Sequence, residues 1–253
     1  MQYAAFSDEQ IKTLVDSIDR DGYAVLPNWA TPEQLAELKG LVTDSIASAG
    51  GNYVALSGRQ AVTGTLLHEW GTSPVFIDLC KRVVNTATGR DSEETGLFQV
   101  LRCLTGSTGR RESMIFHYDS YVLTTIMPVC LPENGPKGDL LMIPNKRPVR
   151  SHYAWNLLDK VKVDNRWVQG WLAKRHQQKS KAFTQIAMNP GDMYFFWGYR
   201  SLHTNLPGDP NGVRATAVFH YDNVHGSSSL ASRIRQVFKP AKPARSLARP
   251  QPR

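Results

Sequence analysis

The sequence predicts a mainly β fold with helical support: an antiparallel barrel or jelly roll with N-terminal helices packed on it. Three observations lead there. Helix signals fill residues 1–90, strand-like runs divided by turn signals fill residues 96–222, and no βαβ alternation links the two halves. A chain of 253 residues suffices for one large domain with a proper core. A single domain is therefore expected over residues 1–238, with a basic tail at 239–253 expected to stay disordered.

The helices come first. Ser7-Asp8-Glu9-Gln10 has the form of a capping box, and Ile11, Leu14, Val15 and Ile18 follow at helical spacing up to a stop at Gly22. Tyr23 to Pro27 reads as a short strand. Thr31-Pro32 opens a second helix with the stripe Leu35, Leu38 and Val42, ended by Gly50-Gly51. Ser73-Pro74 opens a third, with Phe76, Leu79, Cys80, Val83 and Val84 on one face and a stop near Gly89. The predicted strands are Leu97–Cys103, Met114–Met127, Leu140–Ile143, Phe183–Met188, Met193–Trp197 and Val213–Tyr221. Turn signals divide them at Thr105-Gly106-Ser107, Pro132-Glu133-Asn134-Gly135 and Asn189-Pro190-Gly191-Asp192. Between Lys146 and Lys181 lies a basic, Trp-bearing insertion, and Ser229 to Phe238 reads as a last helix.

Composition excludes several classes. A hydrophobic content of 41% and a charged content of 21% are those of a globular chain, and no apolar run reaches the ~18 residues of a membrane span. Cys80, Cys103 and Cys130 are an odd, widely spaced set without metal-type pairing, which reads as buried thiols of a reducing compartment. The N-terminus lacks the basic start and apolar core of a secretory signal, so a cytoplasmic location is expected. Of the net charge of +8, five come from Lys239, Lys242, Arg245, Arg249 and Arg253, which leaves an unremarkable body. Nucleic-acid and membrane partners are accordingly not expected.

The chemistry gathers on Phe116-His117-Tyr118-Asp119. On a strand, residues two apart share a face, so His117 and Asp119 point the same way. A second imidazole, His203, follows 86 residues after His117. Two histidines and one carboxylate on one face of a metal leave its other positions open, the arrangement that suits non-haem Fe(II) oxygenases. Arg214 lies eleven residues beyond His203 in an apolar strand, where a charge is costly without a partner. Its fork of donors suits a carboxylate, and Thr216 shares its face. Arg102, one strand before the His-x-Asp, is a second candidate for that task and reads equally as a solvent-facing cation. Phe-His-Tyr-Asp occurs again at 219–222, but there only His225 and a basic tail follow. His220 is therefore read as a barrel-end, structural histidine.

Taken in order, these segments resemble the phytanoyl-CoA dioxygenase family of iron- and 2-oxoglutarate-dependent oxygenases. Gly22 to Pro27 with Thr31 to Leu35 resembles its N-terminal strand and helix, and Phe116 to Asp119 its His-x-Asp strand. Asn134-Gly135-Pro136 with Gly138 to Pro144 resembles its hairpin, and Pro190 to Phe196, His203 and Arg214-Ala215-Thr216 its closing strands. Where the family usually has Pro-Gly-Ser-His, this chain has Pro144-Asn145-Lys146-Arg147. The resemblance implies a double-stranded β-helix, cupin-like core, with Fe(II) on His117, Asp119 and His203. It implies 2-oxoglutarate held by Arg214 and Thr216, O2 as oxidant, and oxidation of a C–H bond of a small molecule with release of succinate and CO2. Family members that halogenate lack the carboxylate that Asp119 supplies here, which favours hydroxylation.

For substrate contact the expectation falls on the insertion at 146–181, read as a lid. Trp167 and Trp171 would face inward, Lys174 and Arg175 would meet an anionic substrate, and His152 would be a further contact. Two other readings compete. One is a cupin-like ligand- or metal-binding barrel without turnover, which has no need of a buried Arg214. The other is a nucleic-acid demethylase of the same superfamily, which generally carries a second arginine six residues after the first, where this chain has His220.

Overall fold

The computed structural model describes residues 5–148, 163 and 165–223. His152, the helix expected at 229–238 and the tail at 239–253 lie outside the described residues. The two capping boxes form as their sequences dictate. In α1 (Asp8–Asp21) the Ser7 hydroxyl accepts from the Gln10 amide while the Gln10 side chain accepts from Ser7 N–H, and Gly22 closes the helix in the left-handed conformation. In α2 (Pro32–Ser48) Thr31 and Gln34 make the same exchange, with Pro32 in the first turn. A short α3 (Leu66–Thr72) leads directly into α4 (Pro74–Thr88), whose buried face is the one the spacing predicts, Phe76, Leu79, Cys80, Val83 and Val84. A further one-turn helix, α5 (Gly106–Arg111), stands where a turn is expected.

The strands build two antiparallel sheets. They are β1 (Ala24–Leu26), β2 (Val54–Ser57), β3 (Phe98–Thr105), β4 (Leu123–Cys130), β5 (Leu140–Ile143), β6 (Thr184–Ile186), β7 (Met193–Phe196), β8 (Leu202–Asn205) and β9 (Val213–Tyr221). Six form the larger sheet in the order β1-β7-β4-β9-β3-β2, and three form the smaller in the order β6-β5-β8. With the helices on the larger sheet this is the jelly-roll core that the sequence predicts.

Alternation along the strands decides what faces where. Leu101 and Cys103 of β3, Leu123, Met127 and Val129 of β4, and Ala215, Ala217, Phe219 and Tyr221 of β9 turn toward α1–α4 and form the main core with them. Trp29, Phe76 and Phe219 pack ring to ring there, at 4.7 and 5.2 Å between centroids. The other parity faces the smaller sheet. Ile126 and Val218 meet Leu140, Met142, Ile186, Tyr194 and Phe196 in a second cluster between the sheets. A third cluster covers the outer face of the smaller sheet, where Leu172 and Val168 of α6 (Arg166–Gln177) pack with Phe116, Tyr118, Leu141 and Leu202.

One expectation is corrected, and two strands are added. The strand predicted over Met114–Met127 is not continuous. Met114 sits at φ 59°, His117 makes one isolated bridge, and regular pairing begins only at Leu123. The main chain of this segment is used instead in single contacts, His117 with His203 and Asp119 N–H with Gly198 O. The N-terminal part is mainly helical, and within it Val54–Ser57, not among the expected strands, pairs with β3 and extends the larger sheet to its edge. Leu202–Asn205, not among the expected strands, is a buried strand on β5.

Candidate metal centre

His117 and His203 come together through backbone register. Each donates its N–H to the other's carbonyl, at 2.9 and 3.0 Å, and β8 is held in turn on β5 with His203 opposite Met142. Both rings are oriented by main-chain carbonyls two residues back. Nδ1 of His117 lies 2.9 Å from Ile115 O, and Nδ1 of His203 lies 3.0 Å from Ser201 O. A carbonyl only accepts, so each Nδ1 carries the proton and each Nε2 presents its lone pair. Both lone pairs point at Asp119. Its Oδ1 is 3.8 Å from His117 Nε2 and its Oδ2 is 3.5 Å from His203 Nε2. Ligand atoms of these three residues lie within 4.8 Å of one another, the one such group of histidine, cysteine and carboxylate side chains among the described residues. Two oriented imidazoles and one carboxylate, converging from one side, are a donor set that fits iron(II).

Asp119 is held from behind. Its N–H donates to Gly198 O at 3.0 Å, and the Thr124 hydroxyl donates to Oδ2. Burial raises the Asp119 carboxyl, but His203, His220, His117 and the Thr124 hydroxyl outweigh it and hold the group well below the usual carboxylate range. His203 is pushed down to about 4 by burial, against the attraction of Asp119. Gly198 has no room for a side chain. A Cβ there would sit 2.1 Å from Thr124 Oγ1 and 2.4 Å from Asp119 Oδ2.

His220 sits beside this group. The one hydroxyl proton of Thr124 goes to Asp119, so the 3.0 Å contact between Thr124 Oγ1 and His220 Nδ1 is a bond the ring donates. The His220 ring stacks on Tyr121, 5.0 Å between centroids at 19°. It sits at the barrel end, bonded to Thr124 and with its Nδ1 3.8 Å from Asp119 Oδ2.

A cavity of about 120 Å³ runs from the three ligands into the barrel, lined by Val100, Ile126, Leu140 and Val218 along its middle. At its far end are Arg214, Thr216 and Arg102, all on the inward parity, with Arg102 opposite Thr216 across β3 and β9. Arg214 is 4% exposed, and burial, with the nearby Arg102 charge, brings its guanidinium down to about 9. Its Nε donates to Gly138 O at 2.6 Å, and no carboxylate lies within ion-pair distance of it among the described residues. Gly138, at φ 75°, permits that approach, since a Cβ would lie 2.5 Å from Arg214 Cδ. Two larger surface cavities, about 610 and 620 Å³, lie elsewhere, against α1 with β1 and beside the β4–β5 connection. Neither contains the ligands.

The insertion residues are placed differently from the expectation. Trp167 is 87% and Trp171 53% exposed on the outer side of α6, so they do not face inward. The reason is the helix's other face, where Leu172 and Val168 are taken up by the cluster under the smaller sheet. Arg175 stacks on Trp171 with its guanidinium carbon 4.9 Å from the ring centroid, and Lys174 is exposed. Residues that sequence reasoning missed are Thr124 and Gly198. Thr124 was legible by period two from Ile126 once β4 is placed, whereas nothing in the sequence marks Gly198 as the glycine under Asp119.

No protein-family model and no curated protein matches the chain. Solved structures do. The epimerase SnoN, described as non-heme and alpha-ketoglutarate-dependent, from nogalamycin biosynthesis, matches with a TM-score of 0.55 at 14% identity, covering 85% of each chain. Its structure was solved with Fe3+, alpha-ketoglutarate and nogalamycin RO. The non-heme alpha-ketoglutarate-dependent carbocyclase SnoK, also of nogalamycin biosynthesis, gives 0.53 at 13% identity over 97% of this chain and 98% of that one. A prolyl-4-hydroxylase of Pseudomonas putida gives 0.51 at 9% identity, over 84% and 98%. The shared property is the fold, a jelly roll of the kind these enzymes use.

Proposed function

We propose that this protein is an iron(II)- and 2-oxoglutarate-dependent oxygenase, of the phytanoyl-CoA dioxygenase-like kind, that hydroxylates a small molecule. One observation carries the reading. A single narrow cavity has a His-Asp-His ligand face at one end and a buried arginine without a carboxylate partner among the described residues at the other. Bound iron(II), with 2-oxoglutarate and O2, supplies oxidation of an unactivated C–H bond, with succinate and CO2 as co-products.

The chain's own residues do the positioning. His117, His203 and Asp119 offer Nε2, Nε2 and a carboxylate oxygen from one side, which leaves the opposite side to co-substrate and oxidant. Arg214 receives the distal carboxylate of 2-oxoglutarate, assisted by the Thr216 hydroxyl and the Arg102 charge. A volume of about 120 Å³ suits a short dicarboxylate rather than a drug-sized ligand. Val100, Ile126, Leu140 and Val218 keep the passage apolar, which strengthens the Arg214 contact and excludes water. In the family this chain resembles, members that halogenate lack the carboxylate that Asp119 supplies here, which supports hydroxylation.

SnoN and SnoK belong to nogalamycin biosynthesis, which supports a secondary-metabolite substrate here. Free thiols at Cys80, Cys103 and Cys130 support a reducing, cytoplasmic setting. The test is succinate release over a metabolite panel, with iron(II) and 2-oxoglutarate supplied. No succinate with any substrate, and no 2-oxoglutarate binding to the iron-loaded protein, would favour the non-catalytic barrel.

A further inference from the structure

The segment that carries His117 and Asp119 is not part of a regular strand, yet it must hold two ligands to a fraction of an ångström. In an extended segment successive main-chain groups point to alternate sides. His117 turns its N–H and C=O to β8, so those of Phe116 face away from the sheet. Both are taken by one side chain. Phe116 N–H donates to Gln169 Oε1 at 2.9 Å, and Gln169 Nε2 donates to Phe116 O at 2.8 Å. The amide of Gln169 thus stands in for a neighbouring strand, and its Nε2 also donates to Val163 O at 2.8 Å.

On the other side of His117 stands Tyr118, and it too is held. The guanidinium carbon of Arg147 lies 3.9 Å from the Tyr118 ring centroid and 4.3 Å from that of Tyr199. Arg147 is 5% exposed, and its Nε donates to Tyr199 O at 2.7 Å. Tyr199 follows Gly198, whose carbonyl accepts from Asp119 N–H. The stack therefore ties the two segments that meet at Asp119. Arg147 stands at the start of the insertion at 146–181, and Gln169 lies on α6 in its second half.

We propose that Arg147 and Gln169 are positioning residues. From the start of the insertion and from α6, they brace Tyr118 and Phe116, on either side of His117, and so set metal affinity and ligand geometry without touching the metal. This rests on the metal-centre reading above. Outer residues that orient ligands typically change metal affinity 10–100-fold when replaced, so each of Arg147→Met and Gln169→Leu is expected to weaken binding about tenfold.

The experiment uses cobalt(II) as the probe on the full chain, reading both dissociation constant and visible absorption, with circular dichroism and thermal midpoint of the metal-free proteins alongside. Weaker binding and an altered cobalt spectrum in variants that keep the wild-type fold, with partial recovery in Arg147→Lys, is the expected result. Gln169 lies on a surface helix, so its variant keeps the test decisive where Arg147→Met does not fold. Wild-type affinity and spectrum in folded Gln169→Leu and Arg147→Lys, with only a lower midpoint, would overturn the brace and leave the metal centre standing. Absence of cobalt binding in the wild type would overturn the metal centre, and the brace with it.

Discussion

His117 and His203 lie directly opposite one another, exchanging both main-chain hydrogen bonds, with ring centroids 4.4 Å apart. Two histidines 86 positions apart in the sequence are thereby fixed on one face by backbone pairing, and only the ring rotations remain to be set. The Ile115 and Ser201 carbonyls set those.

The ligand assignment predicts a clear ranking. His117→Ala, Asp119→Ala and His203→Ala each remove a direct ligand and should abolish iron(II) binding in an anaerobic calorimetric titration. His220→Ala removes the bond to Thr124 and a neighbour of Asp119 but no ligand, and should cost about tenfold at most. Loss of iron in His220→Ala with retention in His117→Ala would reverse the assignment.

Gly198→Ala should be far more damaging than a methyl group suggests. The new Cβ would lie 2.4 Å from Asp119 Oδ2, so either the carboxylate or the 197–201 turn must move. Overpacking of this kind costs about 1–3 kcal/mol in a packed site. Denaturant unfolding should show that loss, and metal titration should show a weaker site. An unchanged metal affinity would mean the turn yields instead of Asp119.

At the far end of the cavity, Arg214→Ala should raise the 2-oxoglutarate requirement while leaving iron affinity nearly intact. A charge-assisted contact in a dry site is worth about 2–3 kcal/mol, or ~30-fold and above. Saturation curves for 2-oxoglutarate read this directly, and a curve like that of the wild type would remove Arg214 from the site.

Thiol chemistry should be slow in the native state. Burial pushes Cys103 up to about 12 and raises Cys80 well above its ordinary range, so neither supplies thiolate near pH 8. Labelling with a chromogenic disulfide should be slow for both in the folded protein and rapid for all three cysteines in denaturant. The sign also fixes a pH effect. The unfolded chain ionises these thiols near pH ~8.5 and the folded one does not, so their contribution to stability declines above that pH. Rapid native labelling of Cys80 or Cys103 would contradict their burial.

The helices were legible because their signals are local. Ser7 with Gln10, Thr31 with Gln34, and the stripe from Phe76 to Val84 each act within a few residues. Long strands such as Val213–Tyr221 were legible by apolar content. Leu202–Asn205 was not, because a four-residue strand with His, Thr and Asn buried among its neighbours has a loop's composition. The same holds for the site. Residue types and order pointed to His117, Asp119, His203 and Arg214, which the fold brings to one cavity. What escaped was set by tertiary packing alone: the glycine under Asp119, the hydroxyl of Thr124, and the direction of Trp167, decided by which face of α6 the core accepts.

The parity of β3, β4 and β9 divides the substitutions that this barrel can absorb. Val100, Ile126 and Val218, at even positions of these strands, line the cavity, while odd positions such as Leu101, Met127 and Ala217 are committed to the helices. Volume can thus be added or removed along the passage without disturbing the helical support. A single-residue deletion inside β9 would instead turn Arg214 and Thr216 toward the helices together. For anyone reshaping this passage, point changes at Val100, Ile126 and Val218 leave the helical support in place, and changes of strand length do not.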